Sequence, residues 1–226
     1  MIEELLPATV VAVEIHGHDD PGPAALFPQE AEAVARAVDK RRREFTAVRV
    51  CARRAMDKLG VPPQPVLPGE RGAPRWPEGL TGSMTHCEGY CAAALVRTAD
   101  LASLGIDAEP DEPLPQGVLD AVSLPAEAER LRRLAADGPG VHWDRLLFSA
   151  KESVYKAWFP LTGRWLDFSE ADIEIAADPR DGRCGTFRAA LLVPGPRVGG
   201  RHLTHFEGRW AARQGLLATA VTVPHG

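Results

Sequence analysis

The sequence has no long apolar run and few cysteines, and each shortage excludes a class of protein. No segment approaches the ~18 apolar residues of a transmembrane helix, and the acidic start MIEELLPATV lacks the basic region of a signal peptide. Four cysteines in 226 residues are too few for a disulfide scaffold. A net charge of -5 argues against a nucleic-acid binder, which is usually basic. These features predict a globular cytoplasmic protein with neither a membrane nor a nucleic acid as partner.

Several common motifs of catalytic sites are also missing. The chain contains no glycine-rich phosphate loop of the GxxxxGK or GxGxxG type and no GxSxG nucleophile motif. His86, Cys87 and Cys91 come nearest to a zinc site, but there is no second cysteine pair, because Cys51 and Cys184 stand alone. We therefore predict buried, reduced cysteines rather than a zinc site.

The order of predicted elements gives two halves, divided at the segment PDEPLPQG (110–117) into residues 1–110 and 111–226. SMTHCEGYCAAALV in the first half weakly resembles HFEGRWAARQGLLATAVTV in the second. This internal similarity favours an α+β fold of two pseudo-repeated α/β halves, each an antiparallel sheet with helices. The predicted helices lie at 29–38, 39–59, 125–136 and 142–159, and the predicted strands at 10–15, 89–96, 103–110, 171–175, 185–193, 208–213 and 215–223.

Three connections complete this prediction. A Gly/Pro/Asp-rich loop spans 16–28, and a proline-rich connector spans 61–77. The strands at 89–96 and 103–110 are close in sequence and are predicted to form a hairpin.

Lysine is scarce: the chain has only four, and two of them, Lys151 and Lys156, flank Glu152 in LFSAKESVYKAW (147–158). SAKE matches a capping box that would begin a helix at Ser149. The apolar residues around it recur at helical spacing, however, and this pattern favours Ser149 inside a helix. A surface ion pair between Glu152 and Lys156, contributing only about 0.3–0.5 kcal/mol, remains an open alternative.

A second acidic segment, GIDAEP (105–110), changes the interpretation of Glu152. Side chains alternate faces along a strand, so Asp107 and Glu109 point the same way, ~7 Å apart. Two such carboxylates repel each other unless a cation lies between them, although a solvated strand face remains the alternative. With Glu152 they supply three hard oxygen donors, which suit Mg²⁺ or Mn²⁺.

GIDAEP followed by FSAKESVYKAW resembles the signature of the 4'-phosphopantetheinyl transferases, (V/I)G(I/V)D-x-E and (F/W)-(S/C)-x-KE-x-x-x-K. RREFTAVRVCARRAMDKLG and WPEGLTGSMTHCEGY match the family as well, so the resemblance covers residues 39–168 well and the C-terminus loosely. The chain is similar to the monomeric type of siderophore, surfactin and mycobacterial lipid pathways. The resemblance implies the fold of that family, with a coenzyme A and magnesium site between the halves.

The resemblance also implies a reaction and its residues. Such an enzyme, a holo-[acyl-carrier-protein] synthase, moves the phosphopantetheine arm of coenzyme A onto a serine of an apo acyl or peptidyl carrier protein and releases 3',5'-ADP. Asp107, Glu109 and Glu152 would hold Mg²⁺ against the diphosphate. Glu152 would also act as general base, directly or through water. Lys156 would reach the transferring phosphate, and Lys151 would pair with the diphosphate.

Other positions match the family's grip on the adenosine 3'-phosphate. Arg41, Arg49 and His86 correspond to its holders, and Thr85 lies beside His86 where many relatives have serine. A solvated basic helix face remains the alternative for Arg41 and Arg49, because several arginines are adjacent.

One position departs from the family: Pro68 stands where relatives carry lysine, and Arg71 is the candidate replacement for binding coenzyme A. Two other functions remain open. One is a magnesium-dependent phosphohydrolase that uses the same carboxylates on a nucleotide. The other is a degenerate coenzyme A-binding module, which is disfavoured because every metal-site and signature lysine position is filled.

Overall fold

A computed structural model describes residues 1–17, 25–137 and 140–225. Its mixture of helices and antiparallel strands confirms the predicted α+β class. The helices are α1 (Pro28–Ala33), α2 (Asp39–Lys58), α3 (Val118–Val122), α4 (Pro125–Asp137) and α5 (Trp143–Thr162). The strands are β1 (Val11–His16), β2 (Leu67–Pro68), β3 (Pro74–Arg75), β4 (Leu80–Cys87), β5 (Tyr90–Arg97), β6 (Leu101–Pro110), β7 (Ala171–Ala177), β8 (Cys184–Leu191), β9 (Arg197–Val198), β10 (Arg201–His202), β11 (His205–Arg213) and β12 (Leu216–Pro224).

The first helix is shorter than the sequence predicted, and one of the two predicted loops is only partly described. The first helix ends at Ala33, five residues before the predicted end at Val38. Residues 18–24 of the predicted loop lie outside the described residues. The connector at 61–77 contains the short pair of strands β2 and β3.

The first sheet has the strand order β1-β5-β4, and both pairings are antiparallel. Helix α2 packs on this sheet through buried side chains spaced three and four residues apart. Gly60 follows the helix with a φ of 70°, a conformation that glycine adopts without strain, and so ends it where the sequence predicted. The buried residues of α2 in this core are Ala47, Val48, Cys51, Ala52, Ala55 and Met56.

The second sheet has the order β6-β12-β11-β8-β7, also antiparallel throughout. Helix α5 packs directly against β6, where a Cβ on Gly105 would lie only 2.0 Å from the carbonyl oxygen of Ser153. Only glycine permits this approach. Ser149 lies within α5 and is fully buried, which agrees with the mid-helix interpretation rather than the capping box.

The predicted hairpin between 89–96 and 103–110 is wrong. Strand β5 pairs with β4 on one edge and with β1 on the other, so it has no free edge for β6. Strand β6 instead pairs with β12 in the second sheet. The predicted division at residue 110 stays a prediction, although β6, which precedes it, belongs to the sheet of the C-terminal half.

Side-chain hydroxyls connect the two sheets where β4 runs beside β6. The backbone N–H of Ile106 donates to Ser83 Oγ at 3.0 Å, and that of Ala108 donates to Thr85 Oγ1 at 3.1 Å. Both hydroxyls are buried, so the hydrogen bonds are protected from water. The junction therefore holds Ile106 and Ala108 of GIDAEP at a fixed position between the two sheets.

The described residues bear on two further predictions, the buried reduced cysteines and the absence of a transmembrane helix. Cys51 and Cys91 are buried as expected, whereas Cys87 and Cys184 are half-buried; all four are free thiols. Among the described helices, none is both long and apolar enough to cross a membrane.

Candidate active site

The centre of the candidate site is the buried carboxylate of Asp107 on β6, which is 4% exposed. The Lys156 ammonium donates to Asp107 Oδ1 at 2.7 Å and to the carbonyl of Ile106 at 3.2 Å. Thr85 Oγ1 donates to the same Oδ1 at 3.1 Å. The strand segment GIDAEP and the helix segment KESVYK therefore meet in space, with the ion pair at their contact.

The second oxygen of Asp107 has no partner among the residues that the structure describes. Oδ2 is buried and accepts no hydrogen bond, although an unsatisfied buried carboxylate oxygen is costly. Lys156 and Thr85 both point at Oδ1, so Oδ2 remains available to a cation or a donor that enters the site.

Glu109, two residues along the strand, is held by an arginine that the sequence did not single out. Arg145 Nη1 donates to Glu109 Oε2 at 3.0 Å, and its other donors reach the carbonyls of Glu112 and Pro113. Burial raises the pKa of the Glu109 carboxyl, and the charge of Asp107 raises it further, while Arg145 opposes both effects.

Glu152 lies on α5 one turn before Lys156 and is half-buried. Burial raises the pKa of its carboxyl; the charge of Lys156 lowers that pKa, and the charge of Asp107 raises it. A carboxyl whose pKa is raised towards neutrality is a stronger base once ionised. Glu152 is therefore suited to accept a proton beside the Asp107–Lys156 pair.

The donors fit a hard divalent cation in chemistry, but they are not assembled as a three-carboxylate cluster. Within residues 1–17, 25–137 and 140–225, no three His, Cys, Asp or Glu side chains are close enough together to hold a metal ion. Magnesium, however, often takes only one or two protein carboxylates and completes its shell with waters and substrate phosphates. The unpartnered Oδ2 of Asp107 and the raised carboxyl pKa values beside it are consistent with such a site.

A second polar group lies at the first sheet, where α2 meets β4. Arg41 Nη1 is 3.2 Å from His86 Nε2, and Glu44 Oε2 is 3.3 Å from the same nitrogen. Burial lowers the pKa of His86, Glu44 raises it, and Arg41, Lys156 and Asp107 have smaller effects. Arg41 and His86 thus face each other beside the central pair and could bind an anion together.

Lys151 points away from this centre. Its side chain is 2% exposed, and its ammonium contacts Glu127 Oε2 at 2.8 Å and the carbonyls of Phe168 and Ala171 at 2.6 and 3.1 Å. Burial lowers the pKa of Lys151, while Glu127 raises it. The predicted contact of Lys151 with a diphosphate is not supported, because its three N–H donors already have protein acceptors.

The Arg49 side chain is also buried in the protein interior. It is 5% exposed, its Nε donates to the Val66 carbonyl at 3.0 Å, and its guanidinium carbon lies 3.1 Å from the centre of the Phe45 ring. Burial lowers its pKa to about 10, with Glu30 opposing. The predicted role of Arg49 as a phosphate holder is not supported by this position.

Comparison with known proteins identifies the family. A model of the 4'-phosphopantetheinyl transferase N-terminal domain matches residues 29–96, and one of the 4'-phosphopantetheinyl transferase superfamily matches residues 103–191. The 4'-phosphopantetheinyl transferase Svp of Streptomyces mobaraensis is 62% identical over 99% of this chain and 89% of its own length. The chain belongs to the 4'-phosphopantetheinyl transferases.

Two further relatives cover nearly the full length of both chains. The 4'-phosphopantetheinyl transferase PptT of Mycobacterium tuberculosis is 48% identical over 99% of this chain and 98% of its own. The 4'-phosphopantetheinyl transferase Npt of Nocardia iowensis is 49% identical over 98% and 99%. Membership in this enzyme family, expected from the two sequence blocks, is confirmed.

Thr85 and Arg71 contribute to the transferase in ways that the sequence did not predict. Thr85 accepts from Ala108 and donates to Asp107, so its hydroxyl orients the central carboxylate rather than being free for coenzyme A. Arg71 has its guanidinium 5.5 Å from the ring centre of Trp165, in a backbone with a φ of 53°.

Three residues that hold predicted site residues in position were missed in the sequence: Glu44, Arg145 and Glu127. Each acts through a partner distant in the chain, namely His86, Glu109 and Lys151. Only Glu127 had a local signal, because it accepts from the N–H of Leu124 at 2.7 Å, three residues earlier, as the third helical residue of a capping box does.

Proposed function

We propose that this chain transfers the 4'-phosphopantetheine arm of coenzyme A to a serine of an apo carrier protein and releases 3',5'-ADP, with Mg²⁺ as cofactor. The observation that carries the proposal is the Asp107–Lys156 ion pair, in which Asp107 Oδ2 has no partner among the described residues. Burial raises the pKa of the Glu109 and Glu152 carboxyls. A diphosphate under attack needs its charge neutralised and its nucleophile deprotonated, and these groups supply both.

The residues around the pair suggest how coenzyme A lies. Arg41 and His86 would hold the adenosine 3'-phosphate, and Lys156 would face the diphosphate. A cavity of about 100 Å³ beyond Glu152, lined also by Tyr155, Trp165 and Phe168, would take the pantetheine end. Its lining combines apolar and aromatic side chains with the charged Lys151, Glu152 and Asp167, so it offers both apolar and polar contacts to the arm.

The proton of the serine hydroxyl would pass to Glu152. Its raised pKa favours this role, because an ionised carboxylate of higher pKa removes a proton more readily. Asp107 would hold Mg²⁺ with Glu109 or Glu152 as a second ligand, and waters and substrate phosphates would complete the shell. The bound ion would neutralise phosphate charge. Lys156 would stabilise negative charge on the transferring phosphate. Thr85 donates to Asp107 and would keep its carboxylate oriented for contact with Lys156 and Mg²⁺.

Intact-mass spectrometry tests the proposal. An apo carrier protein incubated with this chain, coenzyme A and Mg²⁺ should gain the mass of one phosphopantetheine, and the gain should vanish when the carrier's serine is replaced by alanine. Coenzyme A cleaved without any carrier gaining mass would instead favour the phosphohydrolase. Binding without cleavage would favour the degenerate module. A cytoplasmic location and a monomeric state stay predictions.

The 3'-phosphate contact gives a separate prediction. Arg41→Ala should raise KM for coenzyme A by about 10- to 100-fold, because a charge-assisted hydrogen bond contributes about 1.5–3 kcal/mol. It should leave KM for 3'-dephospho-coenzyme A nearly unchanged, since that substrate lacks the group. Steady-state kinetics with both substrates measures the difference.

Arg49→Ala is the matched control for Arg41→Ala. Its guanidinium is hydrogen-bonded inside the protein, so the substitution should lower the melting temperature and affect both substrates by the same factor. A selective loss with coenzyme A in Arg49→Ala, and none in Arg41→Ala, would reverse the two assignments.

A further inference from the structure

Lys151 and Glu127 form an ion pair in the interior of the second half. Their side chains are 2% and 0% exposed, and Lys151 Nζ lies 2.8 Å from Glu127 Oε2. The remaining donors of the ammonium are accepted by the carbonyls of Phe168 and Ala171. Every N–H of the lysine is therefore directed to a fixed acceptor of the protein.

Glu127 is equally engaged. Its Oε2 also accepts from the N–H of Leu124 at 2.7 Å, and its Oε1 accepts from the N–H of Ile173 at 2.7 Å. The pair thus ties α5 to the start of α4, to the beginning of β7 and to the turn before β7. Helix α5 contacts α4 and β7 in addition to β6.

Buried ion pairs of this kind seldom add net stability over apolar residues of similar volume, because desolvation offsets their attraction. They do impose one geometry, since a shift of the helix would break several short hydrogen bonds together. Successive residues of an α-helix differ by about 100° in direction, so anchoring Lys151 fixes the direction of the next residue, Glu152. It also fixes Lys156, which lies on the same side as Glu152 and contacts Asp107.

We infer that Lys151 and Glu127 are positioning residues, which hold α5 in the rotation and axial position that directs Glu152 and Lys156 towards Asp107. Lys151 borders the cavity beyond Glu152, but its ammonium serves the protein and not the diphosphate. The inference rests on the proposed function for the roles of Glu152 and Lys156.

A single and a double variant test the Lys151–Glu127 pair by rescue. Lys151→Met leaves the Glu127 carboxylate buried without its cation and should lower kcat about 10²-fold, as a displacement of about 1 Å in catalytic groups does. The double variant Glu127→Gln with Lys151→Met removes both buried charges, but its amide accepts only one of the two backbone N–H groups that Glu127 accepts. It should therefore recover about tenfold of that loss rather than all of it. KM for coenzyme A should stay within about threefold throughout, because no substrate contact is removed.

Lys156→Met is the matched control. Glu127→Gln should not restore its activity, because Lys156 does not contact Glu127. If Lys151 were a diphosphate ligand, Lys151→Met would raise KM for coenzyme A and the double variant would be no better. That result in a folded double variant overturns the inference.

A substitution-free measurement uses the fact that the chain has only four lysines. Reductive methylation of the folded wild-type protein, mapped by peptide mass spectrometry, should modify Lys40 and Lys58 readily and leave Lys151 unmodified with or without coenzyme A. Methylation of Lys151 at the rate of Lys58, or protection that appears only with coenzyme A, would overturn the inference even if no variant folds. Wild-type transfer to an apo carrier is measured in parallel, so failure of the proposed function shows separately.

Discussion

Asp107→Asn is expected to lower kcat/KM for phosphopantetheinyl transfer by at least about 10³-fold. Asparagine keeps the shape of aspartate and an oxygen acceptor for Thr85 and Lys156, which both donate to Oδ1 in the wild type. It removes the negative charge and converts the unpartnered Oδ2 into an amide donor that repels a cation. The loss should therefore affect chemistry rather than the fold.

The free energy of unfolding distinguishes a loss of chemistry from a loss of folding. The free energy of unfolding should change by no more than about 1–2 kcal/mol, because the hydrogen bonds to Oδ1 survive and Lys156 is partly solvated. Asp57→Asn, which replaces an exposed carboxylate on α2, is the control and should leave kcat/KM unchanged. Wild-type transfer by Asp107→Asn, or undiminished transfer by the wild-type protein in excess EDTA, would exclude a metal held at this carboxylate.

The residues of the central pair, although not their contact with each other, were identified from the sequence because their signals are local. Alternation along a strand puts Asp107 and Glu109 on one face, and a spacing of four residues puts Glu152 and Lys156 on one side of a helix. The family resemblance then joined the two segments, which meet in the structure through Asp107 and Lys156.

The predictions that the structure does not support depend on distant partners. Lys151 precedes Glu152 by one residue, and the rotation of about 100° between successive helical residues directs Lys151 towards Glu127. The sequence gives no reason to connect Lys151 with Glu127. Arg49 was grouped with Arg41 because both match family positions that hold the adenosine 3'-phosphate, yet Arg49 packs on Phe45 in the interior.

The wrong hairpin has a similar cause. Strands close in sequence often pair with each other. Here β1 and β4 already occupy both edges of β5, and the distance in sequence does not reveal this. The return of the last strand, β12, to pair with β6 is a contact between distant parts of the chain, which no local pattern predicts.

Lys156→Gln is expected to lower kcat about 10²-fold while KM for coenzyme A changes by less than about threefold. The ammonium is 2.7 Å from Asp107, and its side chain is 26% exposed, so it can face both the carboxylate and an entering phosphate. Charge that builds up on the phosphate during transfer interacts more strongly with Lys156 than ground-state charge does, and this difference appears in kcat. Lys156→Arg, which retains the charge, should lose less, and Lys58→Gln on the exposed side of α2 should lose nothing.

The same substitution makes a signed prediction for Glu152. Lys156 lowers the pKa of the Glu152 carboxyl and Asp107 raises it, so Lys156→Gln should move that pKa upward and Asp107→Asn should move it downward. Carboxyl ¹³C shifts of the metal-free protein, assigned with Glu152→Gln, measure both changes. Since a general base must be ionised, the acidic limb of the kcat–pH profile of Lys156→Gln should also move to higher pH. Shifts of the same sign in both variants would show that Lys156 and Asp107 do not act on Glu152 through their charges.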